Sequence, residues 1–96
     1  MKEAVQYNSV FVYGDDGISV VFPACKGCVT CGKSDKQAKL MAEDALRIWC
    51  NIVLDNGSIL PPELSLIALN KWIKEHKKYW GKNKWAIKTI KTTVGV

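Results

Sequence analysis

Apolar residues gather first in Val5–Tyr13, a stretch rich in Val, Phe and Tyr that reads as a strand. Gly14-Asp15-Asp16-Gly17 follows as a turn, because Gly and Asp tolerate positive φ. Ile18–Phe22 is a second short apolar run, so the two segments are expected to pair as an antiparallel hairpin. Pro23 has no N–H to give to a ladder and should end the second strand. Gly27 suits a bend or bulge, and Cys28–Cys31 is long enough for a short third strand.

The period then changes to that of a helix. Ser34 heads an S-x-x-Q capping box with Gln37: the hydroxyl can accept from the Gln37 amide while the Gln37 side chain reaches back to the amide of Ser34. Ala38, Met41, Ala42, Ala45, Trp49 and Ile52 recur at helical spacing, and Leu46, Cys50 and Val53 widen that face. A helix of this kind is expected to lie flat on a sheet. Asn56-Gly57 supplies a left-handed stop. Pro61-Pro62 opens a second helical segment, with Pro62 and Glu63 suited to its first turn. Leu66, Leu69, Trp72, Ile73 and Trp80 form its apolar stripe, and Gly81 can end it. Trp85–Val94 is rich in Thr and Ile and reads as a strand. Ile87 and Ile90 have opposite parity, so a bulge or a helical reading stays open there.

These elements give an α+β fold. A small antiparallel sheet (β-β-β-α, then a second helix and a C-terminal strand) carries a long helix on one face. The expected organisation is a core over residues 1–60, with residues 61–96 adding a basic helix and a strand that completes the sheet or is exchanged, within the same domain. A chain of 96 residues suits one domain with a modest core. No apolar run reaches the roughly 18 residues of a membrane span, and the N-terminus lacks the apolar core of a signal peptide. A soluble cytoplasmic protein with reduced thiols is therefore expected.

Charge changes this picture. Residues 1–70 hold six basic and eight acidic side chains, a net charge of −2, whereas residues 71–96 hold eight lysines and one glutamate, a net charge of +7. Such asymmetry can mark contact with an anionic partner. Lys71, Lys74, Lys78 and Lys82, interleaved with Trp80 and Trp85, form the candidate partner-binding set. Phosphate neutralisation and base stacking would let that set bind nucleic acid. A solvated helix face beside a core-facing Trp stripe is the other reading.

The cysteines offer less. Cys25, Cys28 and Cys31 are spaced C-x2-C-x2-C, but structural zinc wants a closed set of four ligands, and Cys50 stands deep in the predicted helix. Cys28 and Cys31 would point to opposite faces of one strand. Buried small hydrophobes are the better reading, and no metal or other cofactor is expected. Asp15 and Asp16 read as turn formers, and His76, the single histidine, as a surface residue. There is no phosphate-binding glycine loop. A non-catalytic protein is expected.

With these residues in view, the chain resembles the HicB-type antitoxins. Their pattern is strand, turn, strand, then F-P-D-x-P-G-C-x-T-x-G-D-[ST], then an Ala-rich helix that ends in Gly and a Pro-containing loop. Phe22, Pro23, Gly27, Cys28, Thr30, Gly32 and Ser34 match in order, and Ala38, Ala42, Ala45 and Leu46 match the helix. Gly57 with Pro61 and Pro62 matches the exit. Ala24, Lys26 and Lys33 depart from it, and no ribbon–helix–helix module follows. The resemblance implies a partial RNase H-like fold without the nuclease carboxylates, and motif residues that serve mainly structure. It also implies a role: binding a HicA-type mRNA interferase and masking its active surface. The departures and the basic tail keep a second reading open, a repurposed stand-alone module, phage-encoded or not, that binds nucleic acid or another host factor through its basic C-terminal region. A homodimer is expected in either case, since an open hairpin edge invites pairing and Trp is common at interfaces.

Overall fold

A computed structural model of the chain describes residues 2–95. Strand β1 (Lys2–Gly14) turns tightly into β2 (Gly17–Val21), and β3 (Val29–Gly32) leads into helix α1 (Asp35–Asp55). Helix α2 (Leu66–His76), a single 3-10 turn (Lys77–Tyr79) and β4 (Lys84–Gly95) complete the order. The four strands form one antiparallel sheet in the order β3-β2-β1-β4. The expected α+β architecture is present, and the final segment is a strand.

β1 organises the sheet. It pairs with β2 over Val10–Gly14 and with β4 over Lys2–Tyr13. Its residues alternate between faces, as a pleated strand requires. Tyr7 and Phe11 point toward α1, where they join Ile18, Val20, Phe22, Leu46, Ile90 and the alanines of the helix in the main core. Val10 and Val12 point the other way and pack with Leu69 and Ile73 of α2. Each helix thus covers its own face, and α2 belongs to the core rather than to an appended arm. β4 keeps a continuous register without a bulge. The opposite parity of its isoleucines simply serves both faces: Ile90 is buried under α1 while Ile87 lies exposed across from Val10.

Helix α1 starts where the sequence placed it. The Ser34 hydroxyl accepts from the Gln37 N–H at 3.1 Å. Gln37 Oε1 accepts instead from the N–H of Lys33, one residue earlier than a regular capping box requires. The helix ends in a Schellman arrangement, with Ser58 N–H donating to Val53 O and Gly57 N–H to Leu54 O, and Gly57 at φ +76°. Its buried face is turned relative to the expected one. Ala38, Ala42, Leu46 and Cys50 are buried, whereas Met41 and Ile52 stand 41% and 55% exposed. The small alanines let the helix sit close to the sheet, and the larger side chains are turned to its flank.

The start of α2 differs from expectation. Pro61, Pro62 and Glu63 are not helical; the helix begins at Leu66, with the Ser65 hydroxyl accepting from Ala68 N–H. The proline segment runs along β1 beyond the end of β2. There Glu63 Oε2 accepts from the Asn8 N–H, and the Tyr7 hydroxyl donates to Pro61 O. A backbone donor on β1 with no neighbouring strand is satisfied in this way. Leu66, expected in the apolar stripe, is exposed.

Candidate functional site

The basic residues divide into separate neighbourhoods. At the end of α2, Trp72 stacks on His76 with ring centroids 3.9 Å apart, and Trp80 lies 6.0 Å from both Trp72 and Trp85. Trp72 and Trp80 are half-buried against the α2-side core. Trp85 is 40% exposed at the start of β4. Between these elements lies an open cleft of about 410 Å³ lined by Lys74, Lys77, Lys78, Gly81, Asn83 and Trp85. Lys71 is elsewhere, in a depression with Pro23, Trp72 and Glu75. Lys82 sits exposed in the turn and does not line the cleft.

Of the six residues expected to bind a partner, the structure therefore groups Lys74, Lys78 and Trp85. It places Trp80 behind them, while Lys71, one helical turn before Lys74, borders the adjoining depression and Lys82 does not line the cleft. Lys77, not singled out in the sequence, joins the group because the 3-10 turn tightens the chain after His76. Its spacing to Lys74 and Lys78 was a usable signal. None of the cleft lysines forms an ion pair among the described residues; the two pairs present are Arg47–Asp44 and Lys88–Asp35.

The loop between β2 and β3 carries the motif. Phe22 N–H donates to Cys28 O, Cys25 N–H to Phe22 O and Cys28 N–H to Cys25 O, which makes two successive turns. Gly27 adopts φ +86°, and Trp49 of α1 fixes the loop by donating Nε1–H to Lys26 O at 3.0 Å. These turns push Cys25 and Cys28 into the main core, where Cys50 of α1 meets them, while Cys31 lies exposed on the opposite face of β3. The opposite orientation expected for Cys28 and Cys31 is observed. Three cysteines do share one core region, which their sequence separation did not suggest, but no group of three or more His, Cys, Asp or Glu suits a metal ion among the described residues. Burial pushes the Cys25 and Cys28 thiols, and the neighbouring Tyr7 hydroxyl, up to about 12. The buried thiols are held in their protonated, unreactive form.

That arrangement has a measurable outcome. At neutral pH one thiol per native chain, Cys31, should react rapidly with an aromatic disulfide reagent, and the other three only on unfolding. The same groups make the fold sensitive to alkali. Their folded pKa values lie above those of the unfolded chain, so their contribution is complete below about pH 9, the ordinary thiol value, and is lost as pH rises toward about 12. Urea midpoints should fall across that window, and Cys25→Ala with Cys28→Ala should flatten the fall.

On the α1 side, Asp35 accepts from the Tyr13 hydroxyl at 2.7 Å and pairs with Lys88 at 3.1 Å. The Tyr13 hydrogen bond, with Lys88 beside it, holds the Asp35 carboxyl below the usual carboxylate range. The group is fully open to water, so the pair adds little to stability. Asp15 and Asp16 form the hairpin turn, as expected. Met41, Ile48 and Ile52 make an exposed apolar flank on α1, and Val29 is exposed on the edge strand β3. The other edge, β4, carries Lys84, Lys88 and Lys91, a pattern that discourages strand-to-strand association. No helix among the described residues is long and apolar enough to cross a membrane.

Comparison with known proteins places this fold. No family model matches the sequence, and no curated protein does. Solved structures do match. A chain of a toxin–antitoxin complex from Streptococcus pneumoniae superposes with a TM-score of 0.77 at 20% identity, over 94% of this chain and 69% of that one. A chain of a HicA3–HicB3 toxin–antitoxin complex matches with a TM-score of 0.63 at 16% identity, over 96% of this chain and all of the other. The N-terminal domain of antitoxin HicB from Burkholderia pseudomallei matches with a TM-score of 0.58 at 14% identity, over 88% and 95% of the two chains. The fold is the one found in HicB antitoxins, as the motif resemblance implies.

Proposed function

We propose that this chain is a HicB-like antitoxin, a non-catalytic cytoplasmic protein that neutralises a HicA-type mRNA interferase by covering its active surface. The observation that carries this reading is the coincidence of two independent signals. The seven-position motif from Phe22 to Ser34 resembles the family in sequence, and nearly the whole chain, α2 and β4 included, shares the fold of chains from toxin–antitoxin complexes. The motif residues support the structural role assigned to them: Phe22 and Cys28 are buried, Gly27 bends the loop, Gly32 lies under α1 and Ser34 caps it.

Charge suggests where such a partner docks. A basic toxin meets repulsion at the lysine-rich end of α2 and β4, and a mildly acidic body elsewhere. The apolar flank of Met41, Ile48 and Ile52 beside the β3 edge lies in that acidic part and is the surface best suited to a protein. In this reading residues 1–60 carry the family motif and its helix, residues 61–96 add the basic helix and the sheet-completing strand within the same domain, and the protein acts as a homodimer. The test is co-expression with a small toxin encoded beside it. Rescue of growth, lost when Ile48 and Ile52 are both changed to Glu, supports the proposal. Unrelieved toxicity despite a soluble, folded chain overturns it.

A further inference from the structure

We propose that the cleft between the end of α2 and the start of β4 binds single-stranded nucleic acid, with phosphates on Lys74, Lys77 and Lys78 and a base against the indole of Trp85. This site is separate from the protein-docking flank of α1. Trp85 stands opposite Val12 on the α2 face of the sheet, so both surfaces can be occupied together.

Charge is the first ground. Lysines near a helix C-terminus partly serve the helix itself, because the dipole places about half a negative charge there. The +7 of residues 71–96 far exceeds that need. Three lysines line the cleft, Lys82 and Lys84 flank it in sequence, and no acidic side chain lines it. The one glutamate of this region, Glu75, lines a different depression. Among the described residues no carboxylate pairs with the three cleft lysines. Their charge is therefore available to an anion.

The aromatic arrangement narrows the choice of anion. Trp85 stands on a strand, and Trp80 backs it at 6.0 Å, so the indole is held in place while two-fifths of it meets solvent. Tyr79 is three-quarters exposed, with Lys78 Nζ 5.2 Å from its ring. Fixed aromatic surface among cations is the arrangement on which unstacked bases bind, with little regard to sequence. A duplex keeps its bases stacked and cannot use it. The cleft volume of about 410 Å³ lies in the range of about 300–1,000 Å³ typical of small-ligand sites. The start of α2, with Leu66 and Ile67 exposed, is not built to enter a major groove.

Fluorescence anisotropy of a short labelled oligouridylate with the full chain, in the absence of any toxin, tests the proposal. Binding should weaken steeply with salt, and each phosphate contact removed should lower the log–log slope by about 0.7. Lys77→Glu with Lys78→Glu, both exposed positions, should reduce affinity at least about tenfold, whereas Lys36→Glu with Lys39→Glu on α1 should leave it unchanged. Trp85→Leu should weaken binding roughly five- to a hundredfold with the salt slope kept, circular dichroism confirming the fold. Equal affinity for oligothymidylate assigns recognition to phosphate and base alone, and a preference for oligouridylate adds the 2′-hydroxyl; both support the site. No binding at low salt, equal loss from the α1 control, or duplex DNA bound as tightly with no effect of Trp85→Leu would overturn it. Because no toxin is present, this result is independent of whether the chain acts as an antitoxin.

Discussion

Phe11→Ala is expected to lower the unfolding free energy by about 4 kcal/mol, near the middle of the range for deleting a fully buried aromatic ring. Phe11 is fully buried in the part of β1 that pairs with β2 on one side and β4 on the other. Its ring lies under α1, and Lys88 Nζ approaches within 4.8 Å of the centroid. The cavity left by alanine cannot close easily. Helix α1 is fixed at its start by the Ser34 cap and further along by the Trp49 bond to Lys26. β1 is fixed by ladders on both sides. Equilibrium unfolding in urea should show a lower midpoint at unchanged slope. Phe11→Leu, which keeps most of the volume, should cost about 1 kcal/mol. Near-equal losses for the two variants would show that α1 settles into the space and that this core is softer than its contacts imply.

Gly32→Ala should rank next, at about 3 kcal/mol, the upper part of the usual cost of overpacking. A Cβ at Gly32 would stand 2.5 Å from the Ala38 nitrogen and 2.6 Å from its Cα. These are backbone atoms of the first turn of α1, so no rotamer change relieves the clash. Either β3 or the start of the helix has to move, and the Ser34 cap moves with it. The glycine is needed for its lack of a side chain and not for an unusual φ. Gly14→Ala is the matching control, because its nearest contact is an ordinary 3.5 Å and its φ is not positive. Urea unfolding of the two variants decides the matter: a Gly32 variant as stable as the Gly14 variant would mean that the close approach of strand and helix is dispensable.

Local chemistry made much of this molecule legible from its residues. The hairpin turn, the Ser34 cap and the Asn56-Gly57 stop each depend on a few adjacent side chains, and each is present. The motif led to the fold because Pro23, Gly27 and Ser34 impose local backbone geometry that does not depend on distant contacts. What remained hidden depends on tertiary neighbours. The rotation of α1 that leaves Met41 and Ile52 exposed is set by how closely alanines let the helix approach the sheet, which the helical period alone does not contain. Pro62 and Glu63 looked like a helix start, but the unpaired Asn8 N–H on β1, distant in the chain, draws Glu63 into a different role. In the candidate site, lysine spacing picked out Lys74 and Lys78. Lys77 lies at the same helical spacing and was legible too, whereas the border of Lys71 with a different depression depends on Pro23 and Leu64, which are distant in the chain.

The pairing of β1 with β4 also bears on how quickly the chain reaches this structure. Tyr13 meets Lys84 and Lys2 meets Gly95, so the most extensive ladder joins the most distant described segments. Closing a loop of that size has an entropic cost that is recovered only after the ladder forms, and chains dominated by such contacts fold slowly. During synthesis the hairpin, β3 and α1 emerge well before β4. Until β4 docks, the edge of β1 that it covers stays open, and Tyr7 and Phe11 lack the cover that Ile90 and Val94 complete. A partner that recognises the finished sheet would thus meet it only after β4 has paired with β1.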